Sequence, residues 1–381
     1  MKKIISISLL ICMLLSAFHV VTIAEEEQTG QTPYVTGAYF QLGSYNGKPI
    51  LWRCVSTDGE NGILLVSDKI LCFKVANAGA NDRNSPNGYD IYGSNFWEES
   101  TIRTWLNSTA AAGEVEWINY PPDLEHIDTD GRPEIESNYP YADEAGFLSA
   151  NNFTDAERAV MKTVSQWQDL PVDKLDLATN GISYPYIISY GRVISGMGDV
   201  GVVGSISIEE YADSYKGAMY RIDDTIFLLN PPQLLDVYNC YGTLAAEAVE
   251  TPPPGTNRDS KYKGYGYWLR SQRYSIATSQ MGGDNEHIFL VAYREGMLVD
   301  YSSRTEAGIR PAFYLNEAAA VIASGSGTAE DPYILTSNGP QEGIAVYCNG
   351  EPVEMDQSPV EENARLLVPM RAIFESRLAR K

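Results

Sequence analysis

YGYWLRS at residues 265–271 and AGIRPAFYL at residues 307–315 decide how this sequence folds. Each is a run of aromatic and apolar residues suited to a buried strand, yet each contains one arginine, Arg270 or Arg310. A guanidinium keeps its charge in proteins, so a strand that buries one must supply oxygen acceptors around it. The role expected for Arg270 and Arg310 is structural, anchoring loops through hydrogen bonds and salt bridges to carbonyls or carboxylates rather than binding a ligand.

Working outward, YFQLGSYNGKPILWRCV (39–55) ends in a β-rich run, and STDGENG (56–62) carries the turn dipeptides Asp58-Gly59 and Asn61-Gly62 before ILLVSDKILCFKV (63–75). That pair predicts a β-hairpin. A Gly- and Asn-rich loop (77–95) leads to FWEESTIRTWLNS, where Ser100 or Thr101 caps a helix and Trp97, Ile102, Trp105 and Leu106 recur at helical spacing as core residues. A second helix starts at Thr154 in NNFTDAERAVMKTVSQ, with Asp155 and Glu157 in its first turn. Segment 178–224, rich in Gly, Tyr and Ser, reads as an irregular insertion, and DDTIFLLNPPQLLDVY as a buried strand entering a short helix through Pro231 and Pro232. After the surface loop ETPPPGTNRDSKYKG come strands in YGYWLRS, HIFLVAYREGMLVDYS and GIRPAFYLN, then a turn and strand in GSGTAEDPYIL. Local helices among strands far apart in sequence predict an α+β fold rather than alternating parallel units.

YGSNFWEESTIRTWLNS, GFLSANNFTDAER, YWLRS and GIRPAFYLN, in this order, resemble an uncharacterised domain of secreted bacterial proteins marked by W-L-R-S and R-P-A motifs. That domain in turn resembles C-type lectin-like and formylglycine-generating-enzyme-like folds. The resemblance implies a mixed sheet with flanking helices and long loops over residues 39–338, in which Trp105, Trp268, Arg270, Arg310 and Pro311 are structural. The oxidising enzymes of the wider fold use a cysteine pair with copper, but residues 265–335 contain no cysteine, so that chemistry is not carried over. The last residues, IAVYCNGEPVEMDQSPVEENARLLVPMRAIFES, resemble a copper amine oxidase N-terminal-like domain: strand, Asn349-Gly350 turn, strand, then a helix. This implies a small, incomplete β-rich stalk or attachment module over 339–381, without copper, because no histidine follows His287.

The first 24 residues, with two lysines, an apolar run and small residues at Thr22 and Ala24, have the layout of a secretory signal cleaved after Ala24, and 25–38 form a polar leader. The expectation is a secreted or surface protein, associated with a cell wall and not inserted in the membrane after cleavage. With 28 basic and 50 acidic residues the net charge is −22, which argues against nucleic acid, whose recognition relies on Lys and Arg. Cys54 and Cys72 lie in apolar strand-like runs and read as buried thiols, while Cys240 and Cys348 show no framework spacing. There is no HExxH, GxSxG or phosphate-loop motif. No cofactor is expected. The sequence admits calcium only at Asp128, Asp130 and Glu136 in DLEHIDTDGRPEIE, where His126 occupies the place of the leading acid and a solvated acidic turn competes.

For a ligand surface the loop QRYSIATSQMGGDNEH offers Tyr274, Asp284, Asn285 and Glu286, an aromatic plane with side-chain oxygens beside flexible glycines. The function expected is a non-catalytic binding or adhesion module for an extracellular glycan or protein; the alternatives are an extracellular hydrolase of polysaccharide or peptidoglycan, and a purely structural surface module.

Overall fold

The computed structural model describes residues 33–79, 96–127, 140–170, 177–179, 219–251, 264–272 and 306–337, together with the backbone of strands at 288–293, 297–302, 347–348, 351–352, 360–362 and 365–367. Along the chain run β1 (Tyr39–Tyr45), β2 (Lys48–Gly59), β3 (Gly62–Ser67) and β4 (Cys72–Val75), followed by a 3₁₀ turn at Trp97–Glu99 and helix α1 (Thr101–Asn107). Helix α2 (Asp155–Ala159), β5 (Met161–Lys162), β6 (Val164–Asp169), β7 (Met219–Asp224) and helix α3 (Pro231–Tyr241) form the middle. Then come β8 (Tyr267–Gln272), β9 (Ile288–Tyr293), β10 (Met297–Ser302), β11 (Glu306–Ile309), β12 (Ala312–Leu315), β13 (Ala320–Ser324) and β14 (Tyr333–Ser337). The last described elements are the short strands β15 (Tyr347–Cys348), β16 (Glu351–Pro352), β17 (Val360–Glu362) and β18 (Arg365–Leu367). The fold is rich in mixed sheet with few helices, consistent with the α+β class.

Seven strands make the main sheet in the order β13-β14-β1-β2-β3-β12-β5, antiparallel except where β1 runs parallel to β14. Five make a second sheet, β10-β9-β8-β11-β4, parallel only at β8–β11. Turn chemistry sets the main sheet's register. Asn46 (φ 49°) and Gly47 (φ 72°) both take left-handed backbone, the two-residue hairpin geometry that joins β1 to β2. Gly59 pairs with Gly62 across the β2–β3 turn, as the two glycine dipeptides predict. The run 63–75 is broken, however: β3 belongs to the main sheet and β4 to the second. GIRPAFYL breaks in the same way, β11 pairing with β4 and β12 with β3. Pro311, with no N–H to give a ladder, sits at this crossing.

Segment 178–224 ends in β7, which pairs along its whole length with β6. DDTIFLLN is strand only to Asp224; its apolar stretch is buried and touches the main sheet through a bridge from Phe227 to Ala312. Ser100 caps α1 by accepting from the Arg103 N–H, Thr154 and Glu157 form a reciprocal capping box on α2, and Asn230 does the same with Gln233 on α3.

Trp52, Trp97, Trp105 and Trp268 are fully buried, and each indole N–H has an acceptor: Leu42 O at 2.9 Å, Asp224 Oδ2 at 2.9 Å, Ala145 O at 3.0 Å and Lys74 O at 2.9 Å. Burial of each ring is worth about 3 kcal/mol, and the paired N–H avoids the desolvation cost that would offset it. Among the described residues no helix is long and apolar enough to cross a membrane.

Candidate functional site

Arg270 and Arg310 are each 1 % exposed. The Arg270 Nη1 donates to Leu228 O at 2.8 Å and Gln233 Oε1 at 2.9 Å, and the guanidinium lies over the Phe227 ring at 5.1 Å. Arg310 donates through Nε to Ser67 O at 2.9 Å, through Nη1 to the Tyr267 hydroxyl at 3.1 Å and through Nη2 to Asp68 O at 3.5 Å. Tyr267 stands three residues before Arg270, so these bonds join the YWLRS and GIRPA motifs inside the protein. Trp268 and Trp105 meet at Lys74: the Trp268 indole holds its carbonyl, and its ammonium lies 4.7 Å from the Trp105 ring centre.

That ammonium has a 5 % exposed side chain, pairs with Glu144 Oε1 at 2.7 Å and lies 4.5 Å from the Tyr141 ring centre. Tyr45 donates to the other Glu144 oxygen at 3.4 Å. Burial pushes the Cys54 and Cys72 thiols up to about 12, so neither is a thiolate nucleophile near neutral pH; Cys54, Cys72 and Cys240 are unbridged.

One carboxylate stands apart. Asp236 on α3 is held up to about 6 by partial burial, with a further push from the charge of Asp58.

An open cavity of about 320 Å³ lies between the bulged end of β1 and the loop leading into α2, lined by Gln41, Gly43, Ser44, Gly47 and Pro49 on one side and Ala150–Thr154 with Glu157 on the other. Its two walls are tied together. Gly43 N–H donates to Glu157 Oε1 at 3.1 Å, Ser44 N–H to Asn152 O at 2.9 Å, and Thr154 N–H to Glu157 Oε2 at 2.8 Å. Gly43 (φ 66°) must lack a side chain, because a Cβ there would fall 2.1 Å from the Phe153 ring. Glu157 therefore spends both oxygens on the frame. The Gln41 and Asn151 amides and the Ser44 hydroxyl make no hydrogen bond to another described residue and line the opening. The arrangement can offer neutral donors and acceptors to a ligand; it does not present a free acid and base.

Tyr274, Asp284, Asn285 and Glu286, the predicted ligand loop, and Asp128, Asp130 and Glu136, the predicted calcium residues, lie outside the described residues. Among the described residues no group of three or more His, Cys, Asp or Glu is placed to hold a metal ion. The cavity was not anticipated from sequence; NNFTDAER signalled the α2 cap, and nothing in it signals an approach to Gly43, 114 residues from Glu157.

No family model, curated protein or solved structure matches this chain.

Proposed function

We propose that this chain is an exported, cell-surface binding module of C-type lectin-like architecture, and that the cavity between β1 and α2 takes a neutral polar ligand such as a glycan. The observation that carries the reading is the lining: two amides and a hydroxyl without a hydrogen-bond partner among the described residues, around an opening whose lining carboxylate, Glu157, is engaged on both oxygens. Saccharide hydroxyls are both donors and acceptors, and amide side chains complement them with either end. The adjacent first and last strands of the main sheet, β1 and β14, and the internal use of Arg270 and Arg310 accord with a lectin-like frame. The loop with Tyr274, Asp284, Asn285 and Glu286 is proposed as a second contact, and the 339–381 segment, with hairpin β15–β16, as a stalk.

The test is binding of the purified chain to an array of bacterial and plant glycans, with calcium and with chelator. Saturable binding that Gln41→Ala and Asn151→Ala weaken about tenfold, with an unchanged melting temperature, is the expected result. Binding that ignores both changes would remove the cavity from the reading, and no binding in either condition would leave a protein partner or a structural role. A second reading, an extracellular hydrolase, draws on Asp236, since a carboxyl raised by burial beside another acid has the character of a general acid. Product release abolished by Asp236→Asn would favour it.

A further inference from the structure

We infer that Arg53 is a recognition point for a carboxylate group on a ligand from outside the chain. Among the described lysine and arginine side chains, every cation but one donates to an oxygen. Lys69, Lys74, Arg103, Arg158 and Arg221 reach carboxylates. Lys48, Lys162, Arg270 and Arg310 reach carbonyl or other neutral oxygens. Arg53 reaches neither, and its Nε is buried without an acceptor.

What surrounds Arg53 is aromatic. It stands opposite Tyr39 in the β1–β2 register, with its guanidinium carbon 4.9 Å from the Tyr39 ring centre and 4.2 Å from that of Tyr241 at the end of α3. Arg310 approaches the same Tyr241 ring at 4.7 Å. Asp68, the nearby acid, accepts from the Tyr241 hydroxyl at 3.2 Å and forms no ion pair with Arg53. The ring faces attract the charge but have no lone pairs for its N–H donors. In a chain with 50 acidic residues a carboxylate partner would be easy to supply, and none pairs with Arg53 among the described residues.

Arg53 is half-buried, so part of its side chain is exposed, and its guanidinium lies over both rings. Its planar fork matches a carboxylate in two parallel hydrogen bonds, and partial burial strengthens such a pair relative to one in open water. Tyr241 is already covered by Arg53 and Arg310, so it is the half-buried Tyr39 that would border the body carrying the carboxylate, as in an acidic sugar. This site rests on Arg53 and its rings and is independent of the neutral cavity proposed above.

The experiment is calorimetric titration of the full purified chain with D-galacturonic acid, D-galactose and inorganic phosphate at low ionic strength. The expected result is at least tenfold tighter binding of galacturonate than of galactose or phosphate, reduced to the galactose level by Arg53→Gln and weakened severalfold by Arg53→Lys, which keeps the charge but not the fork. Asn151→Ala should leave galacturonate binding unchanged, separating this site from the cavity. Equal binding of galacturonate and galactose, tighter binding of phosphate, or full retention by Arg53→Gln would each overturn the assignment. Should Arg53→Gln fail to fold, the wild-type ligand comparison and Arg53→Lys decide the matter.

Discussion

The Arg310 Nε donates to the Ser67 carbonyl at 2.9 Å, and this bond lies where two strand pairs change sheets together. β3 and β12 pair in the main sheet; beyond Ser67 and before Pro311, β4 and β11 pair in the second. Ser67 N–H donates to Pro311 O and Leu71 N–H to Ile309 O, each at 2.9 Å, which carries the ladder through the crossing. The guanidinium satisfies the carbonyls that the crossing frees, so an arginine belongs inside this apolar strand.

Arg310→Lys should therefore be strongly destabilising despite keeping the charge. A single ammonium cannot span Ser67 O, Asp68 O and the Tyr267 hydroxyl, and buried acceptors lose their partners. A loss of about 3 kcal/mol in urea unfolding is expected, against about 1 kcal/mol for Tyr267→Phe, which removes one hydrogen bond. Equal effects would mean that the Tyr267 bond, and not the carbonyls, is what Arg310 supplies.

Lys74 and Glu144 make an asymmetric pair. Glu144→Ala leaves an ammonium buried between Trp105 and Tyr141 without its carboxylate, and should cost about 2 kcal/mol, discounted because the Glu144 side chain is 41 % exposed. Lys74→Met fills similar volume with an apolar chain and should be near neutral. Chemical denaturation of both variants checks the order; a larger loss for Lys74→Met would show that the cage depends on the charge.

Gly43→Ala should damage the cavity wall and the core together. The residue adopts φ 66°, and the added carbon would meet the Phe153 ring, which packs edge-on against Phe147 at 5.4 Å. Left-handed strain and a displaced ring predict a loss of about 2 kcal/mol and weaker binding of any cavity ligand. Retained stability would mean that the loop carrying Phe153 can withdraw.

Much of this frame was legible in sequence because its signals are local. The glycine turns, the α1 stripe of Ile102, Trp105 and Leu106, the Thr154 cap and the prolines opening α3 all act within a few residues, whereas Trp97, read with that stripe, stands in the 3₁₀ turn before the Ser100 cap. The two breaks at 68–71 and 310–311 were not, because apolar alternation reports which residues are buried and not which sheet buries them. Nothing local marks Arg53 in the run LWRCV; its setting depends on Tyr241, brought to it by α3 from nearly 190 residues away. The cavity depends likewise on two loops that meet only in the folded chain.

Asp236 yields a prediction in pH. Its carboxyl titrates near 3.8 when unfolded and at about 6 when folded, raised first by burial and then by Asp58. The folded state thus holds its proton more tightly, and stability from this group falls as pH rises between those two values, remaining at its lower level above about 6. Asp236→Asn removes the ionisation but keeps the shape. Its melting temperature should exceed that of the wild type at pH 7 by a few degrees, and the gap should close below pH 4. Asp58→Asn should recover a smaller part of the same gain, since it removes only the second cause. Thermal unfolding of the three proteins at pH 4 and pH 7 decides it: a difference that persists at pH 4 would arise from packing at α3, and a destabilised Asp236→Asn at pH 7 would mean that the ionised carboxylate has a partner in the folded protein.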